Sequence, residues 1–174
     1  MIRTPRTILR RWTEADAPTF AAMNADAEVM WDVGHPLGRA ESDAKLARYR
    51  AAFDTHGFGR WAVVDPQGSF LGYAGVMPIS RDFPVAPGFE IGWRFVRSAW
   101  GKGLATEAAA AALADVFARS DLPEILSYTA ADNLRSRAVM RRLGLQRDPR
   151  RDFALDSGWR GLVWVAQRGW SPPT

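Results

Sequence analysis

Glu90-Ile91-Gly92-Trp93-Arg94-Phe95-Val96-Arg97-Ser98-Ala99-Trp100-Gly101-Lys102-Gly103-Leu104-Ala105-Thr106-Glu107 passes from an apolar strand through a glycine-rich turn into an alanine-rich helix, without a spacer. That order builds an anion site. Glycines let the backbone approach a ligand, and the first helical turn leaves N–H groups unpaired at the positive end of the helix dipole. A phosphate or pyrophosphate suits it, with a plain turn as the alternative for Gly101 and Gly103. Two familiar phosphate loops do not fit. A P-loop would need glycine at Val96 and Ser or Thr at Gly103. The dinucleotide fingerprint would need its third glycine where Thr106 stands.

The same stretch resembles the acetyl-CoA signature of the GCN5-related N-acetyltransferases (GNAT), Gln/Arg-x-x-Gly-x-Gly/Ala. Trp100-Gly101-Lys102-Gly103-Leu104-Ala105 matches it at the glycine and the alanine and carries Trp in the first place. A Trp-Gly-Lys-Gly-x-Ala-Thr-Glu-Ala version is similar to the branch containing the ribosomal-protein N-terminal acetyltransferases. A second segment, Asn133 to Leu145, resembles the family's Asn-x-x-Ser-x-x-Val-Met-x-Lys-Leu-Gly-Phe, with Arg142 for the lysine and Leu145 for the phenylalanine. The resemblance covers residues 8–168. It implies acetyl-CoA as cosubstrate and no metal, with the pantetheine arm lying like an added strand between two splayed strands. Backbone groups of Phe95, Val96 and Arg97 would hold the arm. Gly101, Lys102, Gly103, Leu104, Ala105 and Thr106 would hold the pyrophosphate, and Asn133 and Arg142 complete the expected cofactor set. For Asn133 an N-cap or turn role stands beside the ligand role.

The composition sets bounds. A chain of 174 residues, 47% hydrophobic, fits one domain over residues 1–174 with a sizeable core. Without cysteine there is no disulfide, thiolate metal site or cysteine nucleophile, and two histidines are too few for a histidine-rich metal cluster. The N-terminus lacks the apolar core of a signal peptide and no run reaches membrane-span length, so a cytoplasmic protein is the expectation. The net charge is only +4. Clusters at Arg135-Arg137-Arg141-Arg142 and Arg147-Arg150-Arg151 suit a solvated face, the CoA 3′-phosphate or an acidic partner. An RNA-binding reading rests on those clusters alone and finds no nucleic-acid motif. A homodimer is left open.

Periodicity and turn chemistry place strands at about 7–12, 58–64, 69–77, 89–97 and 125–130, and a closing hairpin of 145–153 with 159–167. Helices fall near 13–23, 41–56, 103–119 and from 132 or 133 to 143. By resemblance these elements form an α/β (α+β) fold: a mixed, mostly antiparallel sheet of about seven strands, helices on both faces and a splayed central strand pair.

Acetyl transfer to an amine needs a neutral amine, a polarised thioester carbonyl and a stabilised leaving thiolate. Glu90, at the head of the central strand, is the candidate base, directly or through water; a strand-end charge facing solvent is the alternative. By resemblance Ser136 lies near the sulfur, with a plain helix-interior serine as the alternative, whereas Tyr128 lies on the wrong segment for that role. A backbone N–H near Val96 is the expected oxyanion donor. Trp31, His35, Phe58, Trp61 and Trp93 could line an aromatic acceptor pocket, with Asp26, Glu28 and Asp32 drawing in a cation; for each, core packing or a solvated loop is the equal alternative, and His35 beside Pro36 reads as a loop residue. The implied function is acetyl transfer to a protein N-terminus or small amine; a catalytically idle acyl-CoA-binding module is the competing reading.

Overall fold

A computed structural model describes residues 1–173. Its strands are β1 (Ile2–Arg3), β2 (Ile8–Arg10), β3 (Arg60–Val64), β4 (Phe70–Pro78), β5 (Phe89–Phe95), β6 (Glu124–Thr129), β7 (Gln146–Arg147), β8 (Phe153–Ala154) and β9 (Arg160–Gln167). The helices are α1 (Ala17–Ala25), α2 (Arg39–His56), α3 (Leu104–Arg119) and α4 (Leu134–Arg142). Strand order is β1-β2-β3-β4-β5-β6-β9-β7, with β8 also on β9. Among the described residues only β5 and β6 pair in parallel.

The nine strands exceed the expected seven or so because three of them have only two residues. One is β1; the other two come from the expected 145–153 strand, which breaks in the middle. Pro149 has no N–H to give a ladder, and Pro149–Arg151 coil into a short 3₁₀ turn. Asp152 then accepts the Val163 N–H at 3.0 Å in place of a backbone carbonyl. Helix α2 starts two residues earlier than expected, because the Glu41 carboxylate reaches back to the Gly38 N–H at 2.8 Å and caps the first turn.

Tyr73 on β4 meets Phe20 of α1 and Tyr49 of α2, with ring centroids 6.1 and 5.2 Å apart. Those helices cover one face. On α3, Leu113 and Val116 are fully buried, and the helix runs along β4 and β5 and touches α4. A smaller core of Ile79, Leu126, Phe153, Val163 and Val165 lies under the 79–88 loop and the closing hairpin.

The parallel ladder between β5 and β6 has a single register pair, Glu90 with Leu126. Ser127 Oγ adds one tie to the Ile91 carbonyl at 3.0 Å, and beyond it the strands part. The expected splayed pair is present. The Val96 N–H donates to the Leu71 carbonyl on β4 at 3.0 Å, so alternation along β5 turns the backbone groups of Trp93 and Phe95 into the gap.

The N-terminal strands are tied to the start of α3 through one carboxylate. Glu107 accepts from Thr4 Oγ1 at 2.6 Å and from the Arg6 backbone and Nε at 2.8 and 2.7 Å. Arg6 Nη1 also donates to the Lys102 carbonyl at 2.7 Å, so the tie reaches the glycine turn. Burial alone would raise the Glu107 pKa, but the Thr4 and Arg6 bonds outweigh it and hold the group below its ordinary 4.5. A carboxyl depressed in the folded state stabilises fully above its unfolded value, and loses that contribution as pH falls through the folded one. Acidification below about pH 4.5 is therefore expected to lower the amide-exchange protection factors, taken relative to the intrinsic rates at each pH, at Thr4 to Thr7 ahead of the central strands. Glu107→Gln should remove the pH dependence of that local step.

Candidate active site

Two cavities meet where β5 and β6 part. The first, about 710 Å³, lies between β5, the glycine turn and α4, and takes in Trp93, Phe95, residues 99–106, Asn133, Ser136 and Arg142. The second, about 800 Å³, lies over the β4–β5–β6 face and takes in Arg60, Tyr73, Glu90, Tyr128 and Trp159. Asp32, Trp93, Arg94 and Ser136 line both, so Ser136 stands at their junction.

The first cavity has the build of a phosphate cradle. Gly101 and Gly103 adopt positive φ, 74° and 76°, where a side chain would be strained. The first intrahelical bond of α3 is Glu107 N–H to Gly103 O, at 3.1 Å. The amides of Leu104, Ala105 and Thr106 precede it and have no acceptor within the helix. Thr106 Oγ1 is buried without a partner. Lys102 and Arg142 are exposed at the mouth and pair with no carboxylate among the described residues. Arg135, expected only as one member of a basic cluster, lies with its guanidinium 4.0 Å from the centre of the Trp100 ring and joins α4 to the turn. The Trp100 indole donates to the Phe95 carbonyl at 2.8 Å, which explains what a tryptophan does at the first place of this turn.

Two expected cofactor contacts need correction. Val96 spends its N–H on Leu71 and lines a groove on the α1 side together with Arg97, outside the cleft. The Arg97 side chain pairs with Asp26 and Glu28, both at 2.9 Å. The expected oxyanion donor is thus not Val96; the N–H groups that face the gap belong to Trp93 and Phe95. Asn133 does line the cleft, but its amide is in use. Oδ1 caps α4 by accepting from the Ser136 N–H at 3.1 Å, and Nδ2 donates to Asp32 at 3.0 Å.

Asp32 also has a different role from the expected one. It does not await a cation from outside, for Arg94 on β5 already donates to it at 2.8 Å and also to the Val29 carbonyl. Arg94, Asp32, Asn133 and the Ser136 amide therefore form one chain across the junction, from β5 through the 31–33 loop to α4. Asp26 and Glu28 are likewise taken by Arg97.

In the second cavity Glu90 is paired with Arg60, a residue 6% exposed and unmarked in the sequence. Arg60 also donates to the carbonyls of Gly75 and Gly92, the latter at 3.1 Å. A Cβ at Gly92 would stand 2.6 Å from the guanidinium, so the glycine makes room for the pair. Burial works against the Arg60 charge, but Glu90, Tyr49 and Tyr73 overcome it and raise the pKa. Glu90 is neither a free base nor a solvated strand-end charge. Burial alone would push the Tyr73 phenol up, yet Lys45, Arg94 and Arg60 around it bring it below its usual value. Tyr128 does enter this cavity; burial first and Glu90 second raise its pKa, keeping it a neutral hydroxyl.

The expected aromatic pocket is only partly the one present. Trp93 lines both cavities and Trp31, 46% exposed, stands at the rim of the first. Phe58 and Trp61 are core residues, and His35 is exposed with its ring bonded to the Pro36 carbonyl. The rings that do line the second cavity beside Trp93 are Tyr73, Phe83, Tyr128 and Trp159. Of the basic clusters, Arg147 pairs with Asp152, Arg150 with Asp148, and Arg151 with Glu124 and Asp148, so that turn is neutralised from within.

The family described as "Acetyltransferase (GNAT) domain" matches residues 6–146, and the chain belongs to it. An acetyltransferase from Agrobacterium tumefaciens is 28% identical, covering 95% of this chain and 93% of that one, with a TM-score of 0.82. A GNAT-family acetyltransferase from Bordetella pertussis is 27% identical, covering 94% and 97%, with a TM-score of 0.80. RimL, a ribosomal L7/L12 α-N-protein acetyltransferase solved in complex with coenzyme A, shares the fold at 16% identity, 94% and 95% coverage and a TM-score of 0.75. No helix among the described residues is long and apolar enough to cross a membrane.

Proposed function

We propose that the protein is an acetyl-CoA-dependent N-acetyltransferase, acting on a primary amine by direct attack in a ternary complex. The observation that carries it is the meeting of two cavities at Ser136, one built for a phosphate-bearing arm and one holding Glu90. Acetyl-CoA supplies the acetyl group as an activated thioester. Trp93 and Phe95 direct backbone groups at the arm, and the free amides of residues 104–106, with Thr106, Lys102 and Arg142, receive its phosphates. An amine with a pKa of about 8 to 10.4 reaches the site mostly protonated. Glu90, its Oε1 held by Arg60, takes that proton through a water. The neutral amine nitrogen then bonds the carbonyl carbon, the C–S bond breaks, and the second proton released by the nitrogen passes to the departing sulfur, to which the Ser136 hydroxyl donates a hydrogen bond and through which that proton is relayed. The acceptor is a peptide N-terminus or a small amine. The ribosomal N-terminal branch is supported by the Trp-Gly-Lys-Gly turn and by the fold shared with RimL.

The idle acyl-CoA-binding reading has one observation in its favour, the engagement of Glu90 by Arg60. Ser136→Ala and Glu90→Gln separate the two. Each is expected to lower kcat about 10²-fold, the usual scale for a positioned proton-transfer group, while the acetyl-CoA Kd stays within about threefold. Steady-state CoA release and calorimetric titration measure both quantities. Wild-type protein that binds acetyl-CoA but releases no CoA across peptides, amino acids, polyamines and aminoglycosides would select the idle module.

A further inference from the structure

The far wall of the second cavity comes from segments that no signature motif touches. Phe83, in the 79–88 loop, stacks on Tyr128 of β6 with centroids 5.4 Å apart, and Trp159, before β9, stands edge-on to both at 6.5 Å. Phe153 is buried behind them, 5.7, 5.4 and 5.7 Å from the three rings, so the smaller core fixes their positions. Ile91, Leu155 and Trp93 complete an apolar lining. At about 800 Å³ the space exceeds what a bare methylamine-sized acceptor would fill.

The charges of this cavity are already matched. Its two carboxylates, Glu90 and Asp32, are held respectively by the buried Arg60 and the partly buried Arg94. Behind them Lys45 lies 5.5 Å from the Tyr73 ring and pairs with no carboxylate among the described residues. Lys45 stands outside the cavity lining and, with Arg94 and Arg60, draws the Tyr73 phenol below its usual value, so the lining itself sets two arginines against two carboxylates before any acceptor enters. An acceptor bearing one ammonium can set it against the ring faces and Glu90. A second ammonium would face arginines with no carboxylate left to take it, and a like charge so placed is rejected.

From the aromatic wall and this charge balance together we infer that the acceptor is a monoamine carried on an aromatic or branched apolar body, and that polycationic amines are excluded. This rests on the proposed acetyltransferase reading and names the acceptor class for it. The apolar body lies against Phe83, Tyr128 and Trp159, and the nitrogen points back toward Ser136.

The test compares kcat/KM for phenethylamine, tryptamine and isoamylamine with that for putrescine, spermidine and kanamycin, read as CoA release. The aromatic and branched monoamines are expected to exceed the polycations by about tenfold or more, equivalent to about 1.4 kcal/mol. Trp159→Ala is expected to shrink the phenethylamine-to-ethylamine ratio about tenfold, a ratio that does not depend on the fraction of protein folded. Polycations used as well as or better than the monoamines, or a ratio unmoved by Trp159→Ala, would overturn the inference and leave the acetyltransferase reading intact. Equilibrium binding to the CoA-loaded protein separates the two failures. Without turnover of any amine, selective binding of phenethylamine over spermidine sinks the activity and keeps the acceptor class; absence of that selectivity sinks the class as well.

Discussion

Arg60→Met is expected to lower folding stability by about 3–5 kcal/mol, the scale for removing one partner of a buried ion pair. The Arg60 side chain is 8% exposed, and its guanidinium serves Glu90 and the Gly75 and Gly92 carbonyls at once. Methionine keeps an unbranched apolar stem and restores none of those bonds. The loss has two parts: a partly buried carboxylate left without its cation, and carbonyls left without a donor. Arg60→Met/Glu90→Met separates them, since removing both charges should recover most of the first part and little of the second. Denaturant unfolding of wild type, the single variants and the double variant measures the cycle. A single-variant cost under about 1 kcal/mol would mean that the pair is no more than a surface ion pair in energetic terms.

Asp32→Ala is expected to lower kcat/KM by about 10²-fold, because misplacing reacting groups by about an ångström costs that much. Its carboxylate is the link between β5 and α4, held by Arg94 at 2.8 Å and by Asn133 at 3.0 Å. Without it Arg94, 12% exposed at the side chain, keeps only the Val29 carbonyl, and Asn133 keeps only its cap on Ser136. The lips of the gap then move independently, and Ser136 loses its fixed place at the junction. Asp32→Asn keeps the size and one acceptor, so its loss should be the smaller. Steady-state kinetics with a melting curve for each variant distinguish loosening from unfolding. Activity within threefold of wild type for Asp32→Ala would show that the chain of bonds does not set the geometry.

Much of this arrangement could be read from residue order. The tight turn at Asp65-Pro66-Gln67-Gly68, the alanine-rich α3 and the Gly101 and Gly103 pair are local features, and local rules find them. What escaped depends on register and long-range pairing. Whether Phe95 or Val96 faces the gap is a matter of one residue of register against β4, and a shift of one reverses every assignment along the strand. Arg60 and Glu90 lie thirty positions apart, and Arg94 and Asp32 sixty-two, with no motif linking either pair. Reading Asp32 as an open cation trap failed for that reason. Phe83 and Trp159 sit in irregular segments, where no periodicity tells a wall from a solvated loop, so the acceptor side stayed illegible while the turn stood out.

A crystal structure of the protein with coenzyme A tests the central claim most directly. The pantetheine arm should lie between β5 and α4 along the backbone of Trp93 and Phe95, with the pyrophosphate over the amides of Leu104 to Thr106 and the sulfur beside Ser136. Electron density for the cofactor on the Val96 and Arg97 side of β5, or in the cavity of Arg60 and Glu90, would contradict it.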